Sequence, residues 1–299
     1  MQTSIAVTNF SWSDPARIPD ELAAIVEAAD DDGIDTVWVS DHLLQGEPGT
    51  EPHEAMLEAY TTLGYLAART RRVRLGTLVA PATLRPPALL IKAVTTLDVL
   101  SRGRAWLGVG AGYHQQEADM FGLPLPPTAE RFDWLEDTLR LAHQMWSRET
   151  SAFAGHRLSA DRPVSSPEPA SRPHPPILIG GAGEKRTLPL VARYADACNL
   201  FDIPDGGVTL RHKLAVLADH CHAIGRPFDD IVTTVSTRLQ RDDTAGAFVE
   251  RARGLADIGI DHLVVLTQGP WTLDRLAVLA DTVGPTSAFR SAPLVSDRE

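Results

Sequence analysis

Pro176-Ile177-Leu178-Ile179-Gly180-Gly181-Ala182-Gly183-Glu184-Lys185-Arg186 is the stretch from which the rest of the chain is read. Pro175 and Pro176 stop whatever precedes them, and Ile177 to Ile179 form a short apolar run of the kind found in a buried parallel strand. The glycines that follow let the backbone turn with its amides outward, and Glu184 to Tyr194 reads as a helix. A strand, a glycine turn and a helix N-terminus together make an anion cradle, because unpaired amides and the helix dipole both favour negative charge. Lys185 and Arg186 fall in the expected first helical turn. Cations there are unfavourable for the helix itself, so a bound phosphate would account for them. The same glycines would also serve a plain strand-to-helix turn. The spacing is neither a P-loop nor a G-x-G-x-x-G fingerprint.

Working outward, the same alternation repeats on both sides. Ile5 to Val7, Thr36 to Val39, Val73 to Ala80 and Ala105 to Val109 read as strands before the glycine stretch. Ala197 to Leu200, Ile231 to Val235 and Leu263 to Leu266 read as strands after it. Between them lie amphipathic helices. Leu22, Ile25, Val26 and Ala29 follow the i, i+3, i+4, i+7 pattern behind Pro19, and Phe132, Leu135, Leu139, Ala142 and Trp146 recur at threes and fours. Further helices are expected at 56–69, 86–100, 208–223, 245–257 and 272–282. Eight strands alternating with helices imply a parallel sheet with right-handed crossovers, and eight units close a TIM (β/α)8 barrel. A doubly wound sheet usually places its phosphate turn after the first strand, whereas the anion turn here follows the fifth. The reading is one barrel domain over 1–299, with an insertion after the fourth βα unit at about 147–175 and a frayed tail over 284–299. The insertion is rich in Pro, Ser and Arg without periodicity, and loops that long are usually lids or excursions. Together with the loop at 44–55 it is expected to set substrate choice.

Bulk properties narrow the function. The formal net charge is −11, which argues against a general nucleic-acid or anionic-membrane surface while leaving room for a local basic pocket. Apolar residues make up 43%, ample for a core. The two cysteines, Cys198 and Cys221, cannot make a disulfide framework, so a reducing cytoplasm is the expected compartment. No segment reads as a signal peptide or a membrane span.

In such a barrel chemistry belongs where strands end. Those positions are polar and glycine-rich, and include Asn9, Asp41, His42, Val79, Gly110, Gly112, Tyr113, Gly180 to Gly183, Asn199, Ser236 and Arg238. His42 is the candidate proton carrier, since histidine gives or takes a proton near neutrality. Adjacent strand residues point to opposite faces, so Asp41 and His42 are expected to do different jobs; the alternative is that Asp41 caps a turn and His42 packs on Trp38. Gly108 to Gly112 would let a flat ring lie against backbone, or simply permit close packing. No metal site is expected. His220-Cys221-His222 falls on a helix, where i and i+2 diverge by about 200°. Arg69, Arg71, Arg72 and Arg74 read as a solvated helix end, with Arg74 alternating outward from the third strand.

In order, these pieces resemble the luciferase-like monooxygenase superfamily, most closely its coenzyme F-420-dependent oxidoreductase branch. The matching stretches are Val37-Trp38-Val39-Ser40-Asp41-His42, Met56-Leu57-Glu58-Ala59-Tyr60-Thr61-Thr62-Leu63 and Val73-Arg74-Leu75-Gly76-Thr77-Leu78-Val79. They continue with Leu97 to Arg104, Leu107 to Tyr113, Glu130-Arg131-Phe132, the glycine stretch and Tyr194-Ala195-Asp196-Ala197. The resemblance implies a TIM barrel with an insertion and a cofactor ring over its mouth. It implies a non-prolyl cis peptide at Leu78-Val79 backing that ring, and main-chain amides holding the phosphate, here over Gly180, Gly181, Ala182, Gly183 and Glu184. It further implies Asp41, Gly110, Gly112 and Tyr113 at the cofactor and His42 in proton transfer; His114, in the loop beyond Gly112, is the competing candidate on its position alone. Some deazaflavin sugar-phosphate dehydrogenases carry a glutamate directly after the strand-four glycines, where Tyr113 stands in this chain. The implied activity is hydride transfer between coenzyme F-420 and a small organic substrate; the alternative is an FMN-dependent monooxygenase. A homodimer through helices 56–69 and 86–100 is implied as well; both show apolar positions on more than one face, such as Leu57, Tyr60, Leu63 and Leu66, which ordinary packing against the barrel would also explain.

Overall fold

The computed structural model describes residues 1–12, 14–47 and 49–291. In chain order the elements are β1 (Gln2–Val7), α1 (Ile18–Asp31), β2 (Thr36–Val39), α2 (Ala59–Arg69), β3 (Arg74–Thr77), β4 (Ala80–Pro81), α3 (Pro87–Ser101) and β5 (Leu107–Gly110). Then come α4 (Gln115–Phe121), α5 (Thr128–Trp146), β6 (Phe153–Ala154), β7 (Ser159–Ala160), β8 (Ile177–Gly180), α6 (Thr187–Tyr194) and β9 (Ala197–Phe201). The last are α7 (Val208–Ala223), β10 (Val232–Arg238), α8 (Ala245–Ala256), β11 (His262–Leu266) and α9 (Leu273–Ser287).

The large sheet runs β3-β2-β1-β11-β10-β9-β8-β5-β4. Its two ends, β3 and β4, are successive pieces of one strand interrupted at Leu78-Val79, so the sheet returns on itself. A parallel bridge from Leu75 to Ala105 brings the ends together. Registers such as Val7 with Val39, Val39 with Thr77 and Gly180 with Asn199 align the strand ends at one rim. The fold is thus a TIM barrel of eight parallel strands, counting β3 and β4 as one, with helices outside. The short apolar strands form because both faces are covered: Val7, Val39, Leu107, Ile177 and Ile179 pack outward on helices such as α1, whose Leu22, Ile25, Val26 and Ala29 are buried. Each such side chain contributes about 1.5–3 kcal/mol on full burial. Inside the barrel a second cluster of Ala6, Trp38, Trp106, Leu178, Ala197 and Val264 plugs the centre, with the Trp38 and Trp106 rings 5.6 Å apart. The plug closes the floor beneath the rim. Among the described residues no helix is long and apolar enough to cross a membrane.

Several expectations change. Arg74 turns inward rather than outward, its guanidinium lying 5.1 Å over the Trp106 ring, because β3 starts on the inner face of the barrel floor. The helix after the glycine stretch begins at Thr187, not Glu184; residues 184–186 are a turn, with Arg186 at the N-cap. The helix α4 lies in what read as a long connection. At the C-terminus α9 runs to Ser287 with Pro285 inside it, so 284–287 are not frayed, and 292–299 lie outside the described residues.

The insertion is fastened to the outer helices. Asp137 of α5 accepts the amides of His156, Arg157 and Leu158 at 2.7–3.1 Å, which fastens the β6–β7 hairpin along that helix. Asp98 takes the amide and hydroxyl of Ser171, and His174 stacks on Trp146 at an 18° angle. Among the described residues, loops 44–55 and 147–175 contribute none to the wall of the large rim cavity described below. Leu63 and Leu66 are fully buried in the core and Tyr60 lies under Arg85, so these apolar positions of α2 pack inward; its exposed apolar residue is Tyr65, and those of α3 are Leu89 and Leu100.

Candidate active site

A cavity of about 1080 Å³ opens at the C-terminal rim of the barrel. One wall is β2 and the strand break. Val39 ends β2, and beyond it Ser40 and His42 face the cavity while Asp41 turns away. Asp41 is 1% exposed and its carboxylate meets Arg85 in a two-pronged pair at 2.5 and 3.0 Å. Burial pushes the Asp41 carboxyl up, with the Arg85 guanidinium opposing. Arg85 also reaches Glu58, the N-cap of α2, so Asp41 ties the end of β2 to the start of α2. The two neighbours thus face different ways, as strand alternation leads one to expect.

The peptide between Leu78 and Val79 is cis, and both residues line the cavity. Val79 projects against β5 and β8. A Cβ built on Gly110 or on Gly180 would stand 2.9 Å from Val79 Cγ2, so only glycine lets these two strand ends close on it. The result is a flat, apolar back wall. Gly112, Tyr113, Phe132 and Gly181 continue the lining on either side.

Directly beyond Gly180 in this wall comes the turn after β8. The Gly181 amide donates to Asn199 O at 3.1 Å, and Gly183 O accepts the Leu188 amide at 3.0 Å. The amides of Ala182, Gly183 and Glu184 carry no partner among the described residues. Thr187, at the start of α6, lines the cavity with its hydroxyl close to Gly183. Free amides, a hydroxyl and a helix start suit an anion. Ala182, Gly183 and Glu184 do not line the cavity wall with their side chains. The Glu184 carboxylate instead meets Lys213 and, at 2.9 Å, His212, and hydrogen bonds from those two side chains hold it below the usual carboxylate range. Its carbonyl accepts from His220. These contacts anchor the turn to α7. Arg186 lies 5.6 Å over the Phe132 ring beside the turn.

Sequence reasoning missed Glu117. It lies on α4 and is 4% exposed, and its two carboxylate oxygens stand 3.1 and 3.3 Å from His42 Nδ1. The Leu43 amide donates to the same carboxylate at 2.5 Å. Burial would raise this carboxyl, but hydrogen bonds from His42 and the Leu43 and Leu44 amides outweigh it and hold it below the usual range. His114 is occupied otherwise: its Nδ1 accepts the Glu117 amide at 3.0 Å and caps α4. His42, Tyr113 and His114 form a three-ring cluster with centroids 5.5–6.0 Å apart. Tyr113 is 73% exposed at the mouth.

The far rim carries Asn199, Asp202, Ser236, Thr237, Arg238 and Arg251. Asn199 is locked between Thr234 and Ser236, and Arg251 is paired with Asp243. Arg131 grips the Gly112 carbonyl and leaves a buried Nε without a partner. No group of three or more metal-ligating side chains occurs among the described residues.

A turn with open amides, a flat apolar wall and a histidine–carboxylate pair thus stand around one rim cavity of a TIM barrel. The chain belongs to the luciferase-like monooxygenase family, whose pattern matches residues 1–286. Among its relatives, the F420-dependent glucose-6-phosphate dehydrogenase of Nakamurella multipartita is 32% identical over 240 residues, 80% of this chain and 67% of that one. The protein of the same name from Beutenbergia cavernae is 36% identical over 286 residues, 93% of this chain and 80% of that one. In architecture the chain is similar to an F420-dependent secondary alcohol dehydrogenase solved with an F420-acetone adduct. The TM-score is 0.81 at 16% identity, covering 96% of this chain and 99% of that one.

Proposed function

We propose that this oxidoreductase moves a hydride between coenzyme F-420 and a small organic substrate, with His42 carrying the accompanying proton. The observation that carries the reading is that Gly181 and Thr187, which flank the free amides of Ala182 to Glu184, line one cavity with Val79 and His42. The names of the curated relatives favour the deazaflavin over FMN.

The residues fit the cofactor. Its phosphate would rest on the three open amides and the Thr187 hydroxyl, and its ring against the wall of Val79, Gly110 and Gly180, which closes up because the two glycines lack a Cβ that would strike Val79. When bound, the deazaflavin supplies two-electron hydride chemistry. The chain does the rest. The Trp38–Trp106 plug keeps water from entering through the barrel floor. Arg131 fixes the Gly110–Tyr113 segment through the Gly112 carbonyl. His42 takes or returns the substrate proton, and Tyr113 and the 201–204 loop border the substrate space. The substrate is taken to be a small molecule rather than nucleic acid, given the −11 charge, and the buried unpaired Cys198 and Cys221 suit a reducing cytoplasm. We extend the proposal to a homodimer through the outer faces of α2 and α3, where Tyr65, Leu89 and Leu100 are exposed.

Titrating the purified protein with coenzyme F-420 and, separately, with FMN tests the assignment through cofactor fluorescence. Tight binding of F-420 with weak binding of FMN is expected. The reverse order would transfer the protein to the FMN-dependent monooxygenases, and binding of neither would end the redox reading.

A further inference from the structure

His42 is held through one nitrogen only. Its Nδ1 faces both oxygens of Glu117, while Nε2 has no partner among the described residues. His42 lines the cavity, and the Tyr113 and His114 rings stand edge-on to it at 6.0 and 5.5 Å, limiting its rotation. Glu117 cannot easily move away. It is buried, its other contacts are main-chain amides at the end of the β2 loop, and its own amide is pinned to His114. A carboxylate surrounded by donors is itself only an acceptor, so the imidazole nitrogen facing it must carry the hydrogen.

We infer that Glu117 is a positioning residue that fixes neutral His42 as the Nδ1–H tautomer and leaves the Nε2 lone pair as the proton-accepting atom at the cavity. The inference rests on the reading of His42 as proton carrier. A proton arriving at Nε2 gives an imidazolium directly against the Glu117 carboxylate, and its departure restores the same tautomer. Glu117 thereby makes proton uptake and return use one atom. The competing view is that Glu117 only staples the loop after β2 to α4 through the Leu43 amide.

Glu117→Gln separates the two views. Oε1 is the atom nearest the Leu43 amide, so an amide side chain must keep its oxygen there and turn its NH₂ toward His42 Nδ1. That staples the loop as before but forces the Nε2–H tautomer. The tautomer is read by ¹⁵N NMR on histidine-labelled protein at a pH where the ring is neutral, with the His42→Ala spectrum assigning the signals. The expected result is Nδ1–H in the native protein and Nε2–H in Glu117→Gln. Turnover should fall about 10²–10⁴-fold with cofactor affinity and melting temperature unchanged. Nε2–H in the native protein would overturn the inference, as would a Glu117→Gln protein that turns over normally. Should that variant fail to fold, the native tautomer alone decides. The spectrum needs neither cofactor nor substrate, so failure to bind F-420 would sink the proposed function without touching this result.

Discussion

Replacing Gly183 by valine tests the cradle where the geometry is most exacting. A Cβ at Gly183 would lie 2.9 Å from Thr187 Oγ1, against the 3.4 Å at which ordinary contact begins, so the turn must shift by about 0.5 Å. The open amides of Ala182 to Glu184 move with it. A hydrogen bond to a charged group contributes about 1.5–3 kcal/mol, so losing one amide–phosphate bond should raise the cofactor Kd about 10–100-fold, and losing two correspondingly more. Gly181 is a poorer target. Its φ is +116° and its amide already serves Asn199, so any side chain there strains the fold itself. Gly246 on α8 is the control, since a Cβ there meets nothing within 4 Å and Gly246→Ala should leave Kd unchanged. Fluorescence titration gives Kd, and thermal melting checks that the fold survives. A folded Gly183→Val protein that binds F-420 as tightly as the native one would refute the cradle.

Other predictions address the proton, the barrel floor and assembly. His42→Ala should lower turnover about 10²–10⁴-fold with little change in cofactor affinity, whereas His114→Ala should chiefly uncap α4 at about 1 kcal/mol. Steady-state kinetics in which only the His114 variant lost turnover would reassign the role. His262 is buried at the barrel floor with Nε2 unpaired, and burial pushes its imidazole down to about 4 from 6.5. The unfolded chain therefore takes up the proton first. Stability from neutral His262 should be complete above about pH 6.5 and decline toward pH 4 by about 3 kcal/mol, a slope that urea melts should find flattened in His262→Gln. Sedimentation at micromolar concentration should give a dimer mass, and Leu89→Glu with Leu100→Glu should shift it to the monomer; a native monomer would remove the dimer proposal.

The barrel was legible because each strand is a short β-branched or apolar run cut off by glycine, proline or a polar pair, as at Val39-Ser40-Asp41 and Val79-Ala80-Pro81. That periodicity needs no tertiary information. What escaped depends on it. Gln115 to Phe121 is too short to show a helical period and is capped by His114 rather than by Ser, Thr, Asp or Asn, so α4 read as loop. With α4 unseen, Glu117 could not be matched to His42, 75 residues away in the chain. The ion pair of Asp41 was not legible, because a position at a strand end says nothing of Arg85, which arrives from the loop before α3. Arg74 was turned the wrong way since in-and-out alternation fixes only relative facing, and its phase is set by the Trp38–Trp106 plug. The insertion read as a possible lid because its anchors, Asp98 and Asp137, are ordinary helix acids until the fold brings Ser171 and the 156–158 amides to them.

The most direct test is a crystal structure of the protein grown with coenzyme F-420. The account expects the phosphate on the amides of Ala182, Gly183 and Glu184 and the Thr187 hydroxyl, the deazaflavin ring against Val79, and His42 Nε2 turned toward the substrate side of that ring. A phosphate held instead by Arg238 and Arg251 with the turn amides unused, or a ring lying away from Val79, would contradict it.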